Sequence, residues 1–220
     1  MGADIWHNTL RKLEDYLFMR SEAPSADRLF EIAEAQHGLF TTKQAKQAGY
    51  SEKAQHYHAR AGNWIRDHRG IYRLARYPRS EWADMMLWQL WSRNREDIPQ
   101  GVYSHETALS LYELSDVMPA RLHMTVPHGF DRSAEIPSVL VLHRANLAET
   151  DIASMEGIRV TRPVRTVLDV IAEGRLAPEL TRQAIREGVE RGLFTRDELH
   201  GARTSRRTAS ALRRIMAEDV

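Results

Sequence analysis

Residues 27 to 74 read DRLFEIAEAQHGLFTTKQAKQAGYSEKAQHYHARAGNWIRDHRGIYRL, and this stretch constrains the fold more than any other. Gly38 and Gly49 divide its first part into three short segments. After Gly62-Asn63 an alternating stretch runs from Trp64 to Leu74. In the first segment Leu29, Ile32, Ala33 and Ala35-Gln36 recur at helical spacing. Gly38 ends that helix, since glycine accepts the positive φ found just past a helix terminus. Leu39-Phe40 then make a short apolar step into the core. Thr41 or Thr42 can cap the second helix and Ser51 the third, because a hydroxyl accepts from the unpaired N–H groups of a first turn. Trp64, Ile65, Ile71, Tyr72 and Leu74 supply strand-forming residues, and Arg69-Gly70 can turn the tip between them. Three helices followed by a two-stranded hairpin is the order of a winged helix-turn-helix, a nucleic-acid-reading module.

Charge points the same way. Between Phe40 and Arg79 stand nine Lys/Arg and two acids, Glu52 and Asp67, a balance of +7 in a chain whose total is +1. Residues 1–39 carry −3, 80–160 carry −6 and 161–220 carry +3. Positive charge gathered on one small module suggests a local polyanion site. The plain alternative is a helical domain that solvates itself with Arg and Lys.

The 220 residues are enough for one large or two small domains, and an apolar share of 42% can fill a packed core. The chain has no cysteine, which excludes a disulfide framework, a thiolate metal site and a thiol nucleophile. No run approaches 18 apolar residues, and the N-terminus lacks a signal-peptide apolar core, so a cytoplasmic protein without a membrane partner is expected. Residues 1–26 read as a helix over Ile5 to Arg20 and a Pro24-containing linker; the helix either packs on its own chain or forms a homodimer contact. Residues 27–78 are the winged module. Ser80 to Asn94, capped by Ser80, reads as a helix apolar around its circumference. Residues 79–100 are thus expected to be a buried link between two halves.

Residues 101–220 read as a mixed α+β domain with a helical tail, which makes the whole chain α+β. A helix capped by Ser104 covers Ser104 to Leu114. Strands are expected at 121–127, 139–144 and 157–160. A helix capped by Thr161, with Pro163 in its first turn, follows. Further helices are expected over 177–191, 196–201 and 205–218.

Ten histidines invite a catalytic or metal reading. His56 and His58 point away from each other on a helix. His123, His128 and His143 can meet on adjacent strands, but no acid sits at a ligand-like spacing, so structural or exposed histidines and no metal or cofactor are expected. Nucleotide-binding, hydrolase and zinc-protease motifs are absent, and no catalytic residue is expected.

The run TTKQAKQAGYSEKAQHYHARAGNWIRDHRGIYRLARYP resembles the N-terminal winged-helix domain of the AbiEi family, antitoxins of type IV toxin–antitoxin systems. YSHETALSLYELSDVMPARLHMTVP and IRVTRPVRTVLDVIAE resemble the part that follows in those proteins, so the resemblance spans roughly residues 27 to 175. Its most specific motifs are R-G-I-Y-R-L, S-H-E-T-A-L and T-x-P-x-R-T. Gln55 departs from the pattern, standing where these proteins usually place an apolar residue. The resemblance implies a bacterial autorepressor. Its N-terminal domain would bind double-stranded operator DNA, and its second domain would counteract a nucleotidyltransferase-like toxin of an abortive-infection operon. The alternative is a stand-alone transcription factor whose second domain senses a ligand or dimerises. A nuclease-like second domain is a third reading.

A winged module sets its third helix in the major groove and its hairpin along the backbone. The expected DNA-binding residues are Thr42 and Lys43 in the second helix, Ser51, Lys53, Gln55, His56 and Arg60 in the third, and Arg66, His68, Arg69 and Arg73 on the hairpin. Gln55 pairs with an adenine edge if it points outward. If it points inward it contributes to stability instead.

Overall fold

A computed structural model describes residues 23–132 and 135–217 of the chain; the helix expected over residues 5 to 20 lies outside them. The chain divides into two compact units at Pro99/Gln100.

In the first unit the order is α1 (Ala26–Glu34), β1 (Leu39–Thr41), α2 (Thr42–Gln47), α3 (Glu52–Arg60), β2 (Trp64–His68), β3 (Ile71–Leu74) and α4 (Ala83–Trp91). Each short helix has a local reason to start. Ser25, Thr41 and Ser51 accept from the backbone N–H of Arg28, Gln44 and Ala54. Gln44 returns its side chain to the Thr41 backbone, completing a capping box. The apolar step Leu39–Thr41 is a third strand. It pairs antiparallel with β3, so the sheet order is β1-β3-β2. Three residues are too few to announce a strand. The open edge of β3 makes this one.

Leu29, Ala33, Phe40, Ala45, Ala48, Tyr50, Trp64 and Tyr72 form the core of this unit. The β2–β3 turn is tight, with His68 facing Ile71 across Arg69-Gly70, and Gly70 has φ +72°. The register slips between Arg66 and His68, leaving Asp67 as a bulge.

The helix expected over 80–94 is shorter. Ser80 does not cap it; the Ser80 hydroxyl accepts from Trp82 N, and the helix opens at Ala83 with no side-chain cap. It packs against β1, β2 and β3 within the first unit. Met86, Gln89, Leu90 and Trp91 are buried, while Met85, Leu87 and Trp88 are half-buried, so it is one-sided rather than buried all round. Arg93 pairs with Asp97 at 2.9 Å and donates to Gly70 O at 3.3 Å; Asp97 in turn accepts from the Thr41 hydroxyl. The stretch after α4 is thus fastened to the base of the hairpin.

The second unit holds a five-stranded mixed sheet in the order β6-β5-β4-β8-β7. Its strands are β4 (Val102–Tyr103), β5 (Leu122–Val126), β6 (Leu140–Arg144), β7 (Ile152–Met155) and β8 (Ile158–Thr161). β5/β6 and β4/β8 are parallel, β4/β5 and β7/β8 antiparallel. Three of these strands were expected. β4 has two residues and β7 four, and each is a strand only because a neighbour supplies its hydrogen bonds. The helices are α5 (His105–Leu111), α6 (Pro163–Glu173), α7 (Pro178–Glu190), α8 (Arg196–Gly201) and α9 (Arg206–Ala217). Among them Leu109, Val167, Ile171, Ile185, Phe194, Leu199 and Leu212 build one core.

Two expected caps serve other purposes. The Ser104 hydroxyl accepts from Thr125 Oγ1 at 2.7 Å and makes no capping bond. Thr161 pairs its hydroxyl with Thr166 at 2.7 Å, and α6 begins after Arg162 with Pro163 in its first turn. No helix among the described residues is long and apolar enough to cross a membrane.

Gly188 on α7 lies against the buried ring of Phe194. A Cβ there would fall 2.2 Å from Phe194 Cε1. Gly188→Ala is therefore expected to destabilise the second unit by about 1–3 kcal/mol through overpacking. Urea unfolding measures this, and an unchanged midpoint would contradict the packing.

Candidate nucleic-acid interface

The position of α3 follows from one ring. Trp64 is buried and meets Phe40 at 4.8 Å, Tyr50 at 5.1 Å and His58 at 5.0 Å, the last nearly parallel. His58 is thereby committed to the sheet side of α3. Gln55 shares that side. It is 6% exposed, and its amide donates to Tyr50 O at 3.0 Å and Thr42 O at 3.2 Å. The outward reading of Gln55 as a base contact is therefore corrected. A buried amide must be hydrogen-bonded, and two backbone carbonyls hold this one. They also explain a polar residue at an apolar position.

With Gln55 and His58 inside, the outer side of α3 presents Lys53, His56, Tyr57 and Arg60, all exposed, at spacings of three and four. Ser51 and Glu52 are exposed at its start. Tyr57 is 66% exposed and was missed by the sequence reading, which followed charge. The signal was available, since Tyr57 falls on the stripe set by Lys53 and Arg60. A phenol there offers a partner both an apolar face and a hydroxyl.

The hairpin residues separate into two groups. Arg66 and Arg69 are exposed, with Arg69 at the turn. Arg73 is half-buried and paired with Asp67 at 2.9 Å, so its guanidinium is engaged within the hairpin. His68 is half-buried, with its ring 5.7 Å from Trp88. Both are corrected from the expected phosphate-facing set; the bulge at Asp67 and the packing of α4 turn them inward. On α2, Thr42 is half-buried and donates its N–H to Gly70 O, while exposed Lys43 reaches the Arg95 carbonyl. Of the expected cations, Lys43, Lys53, Arg60, Arg66 and Arg69 are exposed.

The second unit contains a separate polar cluster. His105, His123 and His143 come together, whereas His128 stays exposed and does not join them. Glu106 lies 3.7 Å from His123 and Glu173 lies 4.0 Å from His143, so the fold brings in acids that no sequence spacing announces. Burial lowers all three histidines, His105 to about 3 and His143 to about 4. One donor atom from each of His105, His143 and Glu173 lies within 4.8 Å of the others, a set able to hold a metal ion.

Comparison with known proteins bears on the first unit. Residues 27–75 match the family model described as a transcriptional regulator, AbiEi antitoxin, and in this structure the segment has the element order of a winged helix. No curated protein matches the chain. Among solved structures, the RV2827C protein from Mycobacterium tuberculosis is similar over 84% of this chain and 80% of its own, with 12% identity and a TM-score of 0.40.

Two outcomes are expected. Gln55→Ala removes the two buried amide bonds to the Tyr50 and Thr42 carbonyls and should lower stability by about 1–3 kcal/mol. It should leave the ratio of operator to random-DNA binding unchanged; a loss of that ratio at parental stability would return Gln55 to the DNA face. The second concerns pH. His105 and His143 titrate below 6.5 when folded, so the unfolded chain takes up protons first. The two histidines should cost the second unit stability as pH falls from 6.5 towards about 4, partly offset by Asp169, whose carboxyl burial raises to about 6, and thermal melts of the parent and of Asp169→Asn across that range test it.

Proposed function

We propose that the chain is a cytoplasmic DNA-binding antitoxin that represses its own operon and counteracts a nucleotidyltransferase-like toxin of a type IV abortive-infection system. The observation that carries this reading is the exposed stripe of α3 in a segment of the AbiEi regulator family. The inward faces of the winged helix are filled by aromatic packing and by the Gln55 amide. Lys53, His56, Tyr57 and Arg60 are left free for a major groove. Arg66 and Arg69 on the hairpin suit phosphates, which fix register without reading sequence. Specificity then rests on α3, where Lys53 or Arg60 can pair with guanine and the Tyr57 ring can lie against a thymine methyl.

The role is regulatory rather than catalytic, and the second unit is assigned the antitoxic activity. Co-expression with the toxin encoded alongside tests that assignment. Full-length chain should restore growth and residues 1–99 alone should not. Rescue by the first unit alone would overturn the assignment, and an adjacent operon without a toxin gene would favour a stand-alone transcription factor.

Fluorescence anisotropy with operator and scrambled duplexes tests the DNA face. With about five phosphates neutralised, log K should fall against log salt with a slope of roughly −4 to −5. Arg69→Ala should weaken binding to both duplexes alike and make the slope shallower by about one. Tyr57→Ala should instead lower the preference for operator by roughly 1–3 kcal/mol. If Arg69→Ala and Lys53→Ala both leave affinity and slope unchanged, DNA binding does not use this face.

A further inference from the structure

The histidine cluster lies where four elements of the second unit meet. His105 opens α5, His123 is on β5, His143 is on β6 and Glu173 closes α6. In the β5/β6 register Thr125 faces His143, so His123 and His143 are diagonal neighbours on one face of the sheet. The rings of His105 and His143 stack at 3.5 Å with 13° between their planes. His105 is buried and has φ +52°, a backbone conformation that costs a side-chain-bearing residue free energy and is kept only where the surroundings demand it.

The hydrogen bonds indicate which nitrogens are left over. His143 Nε2 and His123 Nδ1 are 3.1 Å apart. His123 Nε2 faces the Glu106 carboxylate at 3.7 Å. Either direction of the His143–His123 bond sets one ring lone pair against a carboxylate; with protons on His143 Nε2 and His123 Nε2, the nearer carboxylate, Glu106, is the one that faces an N–H. That leaves the His143 Nδ1 lone pair facing Glu173 Oε1 at 4.0 Å. His105 Nδ1 is 2.9 Å from Ser104 Oγ, which leaves Nε2 as its open nitrogen. A lone pair set against a carboxylate is repulsive unless something positive lies between them. The cluster sets two acidic side chains, Glu106 and Glu173, against three imidazoles. Arg175, itself exposed, reaches Glu173 at 3.5 Å.

We infer that His105, His143 and Glu173 bind a divalent transition-metal ion, with zinc the best fit to the donor set, and that His123 is a positioning residue held by Glu106. Two imidazoles and one carboxylate suit a borderline cation and leave a fourth position for water or a partner's ligand. The Glu106–His123–His143 chain is the carboxylate-backed arrangement that orients a ligating histidine and fixes its tautomer. For bonds of about 2.1 Å, donors in a tetrahedron sit roughly 3.4 Å apart. The three must therefore close in from their present spacing, and the stacked rings must tilt so that their lone pairs converge, a change within side-chain torsions. The bound ion ties α5, β6 and the end of α6 together.

The test uses the untagged full-length chain, stripped with chelator and titrated with Co²⁺ and then Zn²⁺. One equivalent of Co²⁺ should bind and give the visible absorption of low-coordinate cobalt, and Zn²⁺ should bleach it. Glu173→Gln keeps the side-chain volume and should abolish the signal. His143→Gln serves as a second variant if the first alters the circular dichroism spectrum. His123→Gln should weaken binding about tenfold through His143. His128→Ala, at an exposed histidine outside the cluster, should leave binding as in the parent. Zn²⁺ should also raise the melting midpoint of the parent but not of Glu173→Gln. Absence of stoichiometric binding in the folded parent overturns the site, as does binding of parental affinity in Glu173→Gln and His143→Gln. DNA binding is read separately, so failure of the metal site leaves the operator-binding reading intact.

Discussion

The burial of Trp64 is the constraint on which the winged unit depends. Its ring takes in Phe40 from β1, Tyr50 from the turn before α3, His58 from α3 and Tyr72 from β3. Such aromatic pairs contribute roughly 0.5–1.5 kcal/mol each beyond the area they bury. Their geometric effect matters more for function. Once His58 lies flat on Trp64, the rotation of α3 about its axis is set, and Gln55 must find partners inside. The exposed residues Lys53, His56, Tyr57 and Arg60 are what that rotation leaves over.

The hairpin is held with comparable firmness. Gly70 accepts from Thr42 N–H on one side and from the Arg93 guanidinium on the other. Arg93 is half-buried, and its charge is met by Asp97. The turn therefore starts from a clamped base, and Arg69 projects from a short, fixed support. For the DNA contact proposed for Arg69, this leaves little side-chain and loop freedom to be lost on binding.

In the second unit the two motifs of the AbiEi resemblance have structural work to do. In S-H-E-T-A-L, Ser104 takes the Thr125 hydroxyl, His105 stacks on His143, Glu106 faces His123, and Thr107 accepts from His123 N–H at 2.8 Å. In T-x-P-x-R-T, Thr161 and Thr166 share a hydroxyl hydrogen bond. Arg165 joins Asp169 at 2.8 Å and Asp151 at 3.3 Å. Burial raises Asp169 to about 6 despite Arg165 beside it. Both motifs mark places where a helix start is fastened to the sheet through buried polar groups, which tolerate few alternatives.

By itself the sequence determined the local events. The helix cap at Ser51, a cap at Thr41 or Thr42, the turn at Arg69-Gly70, the helical periodicity of α6 through α9 and the concentration of positive charge between Phe40 and Arg79 are all short-range patterns. Each depends on residues a few positions apart. Tertiary structure decided whatever depended on a distant partner. β1, β4 and β7 are two to four residues long and exist because neighbouring strands offer hydrogen bonds. Gln55 turned inward because two carbonyls waited there, Arg73 was claimed by Asp67, and Tyr57 was left outside. Glu173 stands 30 residues beyond His143 and 68 beyond His105 in the chain. Only the packing of α5 and α6 beside the sheet brings that carboxylate to two neutral imidazoles, because burial and convergence are properties of the folded chain and not of spacing along it.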